Sequence, residues 1–582
     1  MRVLFPLALF LSASLALAVP IDDVPPPLIP IGIESEGVQP LLFDAAAYAD
    51  LADRQSIRLE AFPLPGAAPV TLDLERFDVL EADATLRTAD ERRELAAPRP
   101  DVQLWRGTVA GVDGSHVYLG LSPSGIAGYI TAGDARYILS TGPAGTRPPV
   151  IYSLAGAAAQ RLNIQMPACA GALPNPDALG GDPDEAPGGY GDRALSCRTF
   201  RLAIECDTAF TDLFGGNTAA SGAYATLLLG AVSEIFDREA SIRLTVNYLR
   251  TWTGADPYAT TSAGDRLGEF RTYWNSNMGS VQRQLAHMLS GEGLGGGVAW
   301  LNAACGSYGY AVSGNLGGAF PYPITDHSHQ NWDLMVVTHE IGHNLGSGHT
   351  HDPNSYAPPI DACGAAYLNP PGVQNCSNAY AIGSIMSYCH ICPGGMSNMS
   401  MVFGPRVVER LRAYTTLSVP NCGTTVAPPA ITDHPDDTTA AQGTNLQMIV
   451  NASGTSNIYQ WRRDGVLLTN NANYANTAGR FLIITNAVPA LSGSYVATAV
   501  NSCGTATSTA ATLVVSSPCG TTDFDGDGDA ATDADIEALF AVIGGTGCPT
   551  PSCGSTDFDG DGDAGTDADI EAFFRVIGGG PC

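Results

Sequence analysis

His339-Glu340-Ile341-Gly342-His343-Asn344-Leu345-Gly346-Ser347-Gly348-His349, near the middle of the 582-residue chain, sets the fold expected around it. Two histidines four apart project from one face of a helix, close enough to grip one metal ion, and Glu340 between them can reach a water on that metal. Leu334, Val337, Ile341 and Leu345 fall on the other side, which gives the helix an apolar back. Gly346 can take a positive φ and stop the helix, so that His349 returns as the third ligand. Three neutral nitrogens with a fourth position open are the donor set of a hydrolytic zinc site. Zinc there acidifies a water and polarises a carbonyl, while Glu340 takes the proton and passes it to the leaving amine.

Around this stretch, residues 197 to 422 mix a strand, Thr199 to Cys206, with helical patterns at Ala223–Phe236 and Leu267–Trp274, an α/β texture. Cys363, Cys376, Cys389 and Cys392 lie within thirty residues of one another. Two bridges among them would pin the local loop, and three pairings are open.

Gly383-Ser384-Ile385-Met386-Ser387-Tyr388 lies downstream, its methionine 37 residues after His349. With the histidine motif it resembles the metzincin peptidases and their Met-turn. The resemblance implies Met386 as a hydrophobic floor beneath the histidines and gives Tyr388 a role beside the oxyanion. Asn344, and an acid soon after the third histidine, are most similar to the adamalysin (reprolysin) branch. Here Thr350-His351 stand between His349 and Asp352, and His351 is a rival third ligand that the Gly346 spacing disfavours. Leu294 to Leu301 looks like the family's edge strand, to which an extended peptide adds by main-chain hydrogen bonds. By analogy with adamalysins only, Cys305 is expected to bond Cys422, and the segment upstream is similar to reprolysin propeptides.

That upstream segment, 19 to about 170, alternates apolar and polar residues between Gly, Asp, Ser and Pro, the pattern of a mainly β domain. Met1–Ala18 reads as a cleaved secretory leader with Ala16-Leu17-Ala18 at its end. The fourteen cysteines then belong to an oxidising compartment. A linker rich in Gly, Pro and Asp runs from Pro174 to Arg193 and is a natural place for cutting. Just before it, Cys169 is either a free thiolate that occupies the open zinc position until the chain is cut, as cysteine switches do in related families, or half of a disulfide, for instance with Cys197. Asp and Glu outnumber Lys and Arg by 58 to 28, a net charge of -30, which argues against nucleic acid and anionic membranes as partners. No later stretch has the unbroken apolar length of a membrane span.

After Pro428-Pro429 come short strands rich in Thr, Ala, Asn and Val. They resemble an immunoglobulin-like domain, with Trp461 in the place of the strand C tryptophan, Tyr495 as the corner tyrosine, and Ala497 where the second cysteine would stand. The C-terminus repeats itself: Cys519 to Asp529 returns thirty-four residues on, at Cys553 to Asp563. Asp523, Asp525, Asp527 and Asp529, and likewise Asp557, Asp559, Asp561 and Asp563, resemble the start of a calcium loop, with Gly528 and Gly562 at the sharp turn. A helix with an apolar stripe follows each, and the pair is similar to dockerin repeats. Position twelve of each loop is Ala534 or Ala568, with Asp533 and Asp535, or their copies, on either side. Cys519 with Cys548 and Cys553 with Cys582 could each close one repeat.

The expected architecture is multidomain: leader 1–18, mainly β propeptide domain and linker 19–193, α/β metzincin domain 194–424, all-β immunoglobulin-like sandwich 428–516, and a small helical calcium-repeat module 518–582. The expected function is a secreted zinc endopeptidase, made as a zymogen, that cuts proteins or peptides. Zn2+ is its catalytic metal, Ca2+ sits at the repeats, and a protein is the partner of those repeats. A surface or scaffold-bound adhesion protein with an inactive peptidase domain is the rival, which an intact Glu340 opposes. A zinc hydrolase acting on non-peptides is disfavoured by the Met-turn.

Overall fold

The computed structural model describes residues 25–582 except 53, 55, 143–144, 146, 157–172, 177–196, 324–329, 331, 369, 377–382, 394, 455–456, 478, 502, 517–518 and 581–582. The expected leader Met1–Ala18, Cys169 and the linker end Arg193 lie outside the described residues. The chain forms two compact units. One holds Asp23–Pro428 with Ser502–Gly504, the other Pro429–Asn501 with Thr505–Cys582.

The first unit begins with an antiparallel sheet. Its strands are β1 (Leu28–Pro30), β2 (Val38–Phe43), β3 (Ser56–Phe62), β4 (Val70–Phe77), β7 (Gln103–Val109), β8 (His116–Ser122), β9 (Gly125–Ala132), β10 (Ala135–Ser140) and β11 (Val150–Ser153). Successive side chains on a strand face opposite ways, and here both faces are apolar. Trp105, Leu119, Ile130 and Leu139 pack on one side beneath the short helix Ala45–Asp50. Leu104, Tyr118, Tyr129 and Ile138 pack on the other, in the same core as helix Thr218–Ala240.

Between β4 and β7 the chain leaves that sheet. β5 (Leu80–Ala89) and β6 (Glu94–Ala96) join the second sheet, whose strands β12 (Cys197–Cys206), β13 (Ile242–Trp252), β14 (Leu285–Leu289), β15 (Gly297–Ala299) and β16 (Tyr310–Ser313) run in the order β15-β16-β14-β12-β13-β5-β6. β12, β13, β14, β16 and β5 are parallel to one another; β15 is antiparallel and forms the far edge. Parallel strands require crossovers. Helix Thr218–Ala240 supplies one, between β12 and β13, capped by Asn217, whose side chain accepts from the amides of Ala219 and Ala220. The expected strand at 199–206 and the helical patterns at 223–236 and 267–274 all fall within observed elements.

Cys363 bonds Cys389 and Cys376 bonds Cys392, which selects one of the three open pairings; Cys305 bonds Cys422. Cys197 bonds Cys503, 306 residues away. That corrects the alternative in which Cys197 serves Cys169.

In the second unit, Trp461 and Tyr495 are fully buried with Leu482 and Ile484 between strands of two sheets. The Tyr495 hydroxyl donates to the Leu491 carbonyl at 2.7 Å, the expected corner contact. At the C-terminus, helices Asp533–Ile543 and Asp567–Ile577 share a core of Phe524, Leu539, Phe558 and Phe573. The two repeats clasp reciprocally: the Gly520 amide donates to Phe558 O at 2.8 Å, and the Gly554 amide to Phe524 O at 2.7 Å. The expected pairs Cys519–Cys548 and Cys553–Cys582 do not form, because Cys548 bonds Cys553 across the short turn between repeats. Cys519 is disulfide-bonded as well.

Candidate metal centre

Helix Asp333–Asn344 is entirely buried and carries the first two histidines of the motif. Its start is anchored by Asp333, whose carboxylate accepts from the amides of Gly317 (2.8 Å) and Gly318 (3.0 Å) and from the Tyr224 hydroxyl (2.8 Å). Its end is set by Gly346, at φ 110°, a conformation that a side chain would strain. The chain turns there as expected, and His349 comes back to the helix.

The Nε2 atom of His349 lies 3.2 Å from that of His343 and 3.2 Å from that of His339. The Nδ1 atoms of His339 and His343 face the carbonyls of Ile385 (2.8 Å) and Ser347 (2.7 Å), so they carry the ring protons. The Nε2 atoms of both rings are therefore lone pairs turned towards His349. Burial pushes His339 down to about 4 and holds His343 and His349 well below the usual histidine range, so all three are neutral at physiological pH. Converging lone pairs repel unless a cation lies between them. The 3.2 Å spacing fits the edge of a tetrahedron of nitrogens at about 2.0–2.1 Å from zinc, and ring protons held by backbone carbonyls are the usual support of such ligands.

Glu340 is fully buried on the same helix and packs against Gly297 of β15. Met386 is fully buried beneath the helix, where its Sδ fills the space beside Gly342. The Met386 carbonyl accepts from the amide and hydroxyl of Thr350, next to His349, so the turn braces both ends of the histidine set. Tyr388 stands over the site, its ring centroid 4.6 Å from that of His349. His351 stacks on His349 at 5.1 Å, outside the converging trio. Asp352 turns away and accepts from Asn354 and Ser355 of its own loop.

The sequence did not point to His390 or Leu173, and it marked Asn344 only through the family resemblance. Asn344 donates to the carbonyls of Trp300 (2.9 Å) and Tyr310 (3.1 Å), tying the helix to the sheet edge. His390 is buried near Tyr388 and pushed down to about 3. Leu173 lies on the edge strand itself: its amide donates to Ala299 O and its carbonyl accepts from the Leu301 amide, both at 2.9 Å, and Asn175 donates to Asn302 O. The run of glycines Gly295–Gly297 is the one sequence signal that marks close approach at this edge.

In the C-terminal repeats, Asp523, Asp525 and Asp535 present oxygens within 4.8 Å of one another, as do Asp557, Asp559 and Asp561. Asp527, Asp529 and Asp563 stand outside these groups; the amides of Asp529 and Asp563 donate to Asp527 and Asp561. Of the acids flanking position twelve, Asp535 is the buried one. It holds the amides of Phe524 (2.7 Å) and Asp525 (3.2 Å) and caps its own helix through Thr532, and Asp569 repeats this arrangement.

Residues 196–400 match the family described as Metallo-peptidase family M12, and residues 429–515 match the Immunoglobulin I-set domain. Two curated mouse (Mus musculus) proteins, disintegrin and metalloproteinase domain-containing proteins 1b and 1a, are each 27% identical over 196 residues. These matches cover 31% of this chain and 23% of each relative, so the chain spans about a quarter of the length of the curated relatives it matches. Among solved structures, a chimeric titin Z1Z2 and a titin M4 domain are each 30% identical over 16% of this chain, covering 98% and 99% of theirs, with a TM-score of 0.15. The chain thus carries an M12 metallopeptidase domain, whose family implies zinc, followed by an immunoglobulin I-set domain.

Proposed function

We propose that this protein is a zinc-dependent endopeptidase that acts on proteins or peptides outside the cell and is made as a zymogen. The observation that carries this is the convergence of the His339, His343 and His349 lone pairs beside Glu340 and the edge of the sheet at β15. Bound zinc would supply a Lewis acid at that point and lower the pKa of a water there. Glu340 takes the proton from the attacking water and delivers it to the leaving amine. The edge strand β15 aligns the substrate by main-chain hydrogen bonds through Ala299 and Leu301, and Tyr388 stands beside His349 to assist the developing oxyanion.

Latency is supported by Leu173, which occupies those same main-chain groups. Cys169 lies four residues earlier and is our candidate switch, a thiolate in place of the attacking water; thiol mapping of the uncut chain tests it, and an oxidised Cys169 would reject it. The aspartate loops at Asp523 and Asp557 are read as calcium sites of a module that attaches to a protein partner. The decisive experiment is Glu340→Gln. Casein hydrolysis should fall by several powers of ten while bound zinc, measured by atomic absorption, is unchanged. Wild-type turnover with equal zinc would refute the role of Glu340, and absence of zinc from the wild-type chain would refute the site.

A further inference from the structure

The N-terminal sheet is built into the peptidase domain more deeply than a removable plug requires. Helix Thr218–Ala240 has Gly230 at its middle, a residue that weakens a helix unless something needs the space. A Cβ there would stand 2.8 Å from Leu104 Cδ1 and 2.8 Å from the Tyr118 hydroxyl, both on the N-terminal sheet. The sheet reciprocates with Gly120, where a Cβ would lie 2.7 Å from Leu227 Cδ2 of the helix. Two glycines on opposite partners are thus spent on bringing these two elements together.

Polar groups are matched across the same contact. Tyr118 donates to the Leu227 carbonyl, Tyr129 to the buried Glu234, and Arg106 pairs with Asp237 at 2.7 Å. Ser140 and Tyr152 donate to the carbonyls of Phe320 (2.6 Å) and Pro321 (2.9 Å). Arg136 donates to the carbonyl of Met399, which bridges Gly383 just ahead of Met386. On the flank, β5 pairs with β13 from Thr85–Ala89 to Tyr248–Trp252 and covers what would otherwise be a bare sheet edge. Removing the domain would expose the helix, strand that edge, take Arg106 from Asp237 and leave Glu234 with Arg238 of its own helix but without the Tyr129 hydroxyl.

We infer that the N-terminal β domain is a permanent structural half of the peptidase unit: cutting the linker leaves it docked without a covalent tie, and the working protein is a two-chain assembly. Inhibition then belongs to the short segment at Leu173 on the edge strand, which can leave while the sheet stays. The inference rests on the peptidase reading only in taking the linker as the place of processing.

A site-specific protease sequence inserted between Gly188 and Gly189 of the full chain allows the test. After complete cutting, both fragments are expected in one gel-filtration peak in native buffer and as two bands on a non-reducing denaturing gel. Separate native peaks would overturn the inference, and so would fragments that part only after reduction, since a disulfide would then be holding them. Gly120→Val on the sheet side should let the cut fragments separate at lower urea than the cut wild type; an unchanged profile would overturn the packing on which the inference stands. Casein hydrolysis and zinc are read on the same peak, so co-eluting fragments without either would sink the peptidase reading and leave the two-chain inference intact.

Discussion

A Cβ at Gly297 would lie 2.4 Å from Oε1 of Glu340 and 2.8 Å from its Cγ. The edge strand that would align a substrate and the proposed base are therefore fitted to one another, with no room for a methyl group between them. Gly297→Ala is expected to push the carboxylate aside and lower kcat by about 10²-fold, the scale of a displacement near 1 Å at a reacting centre. Zinc content should not change. Turnover equal to wild type in a peptide assay would reject the constraint.

Asn344 joins the helix that carries His339 and His343 to the sheet through the carbonyls of Trp300 and Tyr310. Asn344→Ala leaves both without this donor, at a cost of about 1–3 kcal/mol per stranded group. Urea unfolding should register that loss, and KM should rise because Trp300 lies between Ala299 and Leu301, the two groups proposed to align a substrate. A variant as stable as wild type, with the same KM, would contradict this.

His287 is buried on β14, with Nε2 2.9 Å from the Ser313 hydroxyl, and burial pushes it down to about 3. An exposed histidine titrates near 6.5, so between those values the unfolded chain binds a proton that the folded chain refuses. Stability contributed by this site is complete above pH 6.5 and declines as pH falls towards 3. His287→Gln removes the titration. The stability difference, wild type minus variant, should slope by about 1.4 kcal/mol per pH unit inside that window and be flat above it. Parallel curves from pH 7.5 to 4.5 would show that the buried imidazole is not the cause.

Calorimetric titration of the full chain with calcium is expected to give one ion per repeat. Asp525→Asn with Asp559→Asn should abolish both heats, and Asp535→Asn should remove the first. A wild-type chain that takes up no calcium at millimolar concentration would dismiss the site.

Much of the metal centre could be read from spacing. The four-residue interval of His339 and His343, and Gly346 as the helix stop, are local features, and local features survive the absence of coordinates. The partners of Asn344, Gly297 and Leu173 were not legible, because their contacts join segments from 34 to more than 120 residues apart in register with a sheet edge. The exchange of β5 between sheets was hidden for a related reason: Leu80–Ala89 has ordinary strand character, and nothing in a strand's composition names its neighbour. In the repeats, position twelve drew attention to Ala534, yet the helix start at Thr532 turns Asp535 inward instead. The cysteine spans misled there too, since equal lengths of 29 residues suggested two loops where one short bridge, Cys548–Cys553, joins the repeats.

Helix Thr218–Ala240 is long and apolar enough to pass for a membrane span, yet 89% of its most apolar window is buried. Synthesis runs from the N-terminus, so the sheet of residues 28–153 leaves the ribosome before this helix does. The surface that shelters the helix is thus already made when the helix emerges. A circular permutant that begins at Cys197 and places the β domain last would reverse that timetable, and its nascent chains should aggregate or bind chaperones for longer than those of the native order.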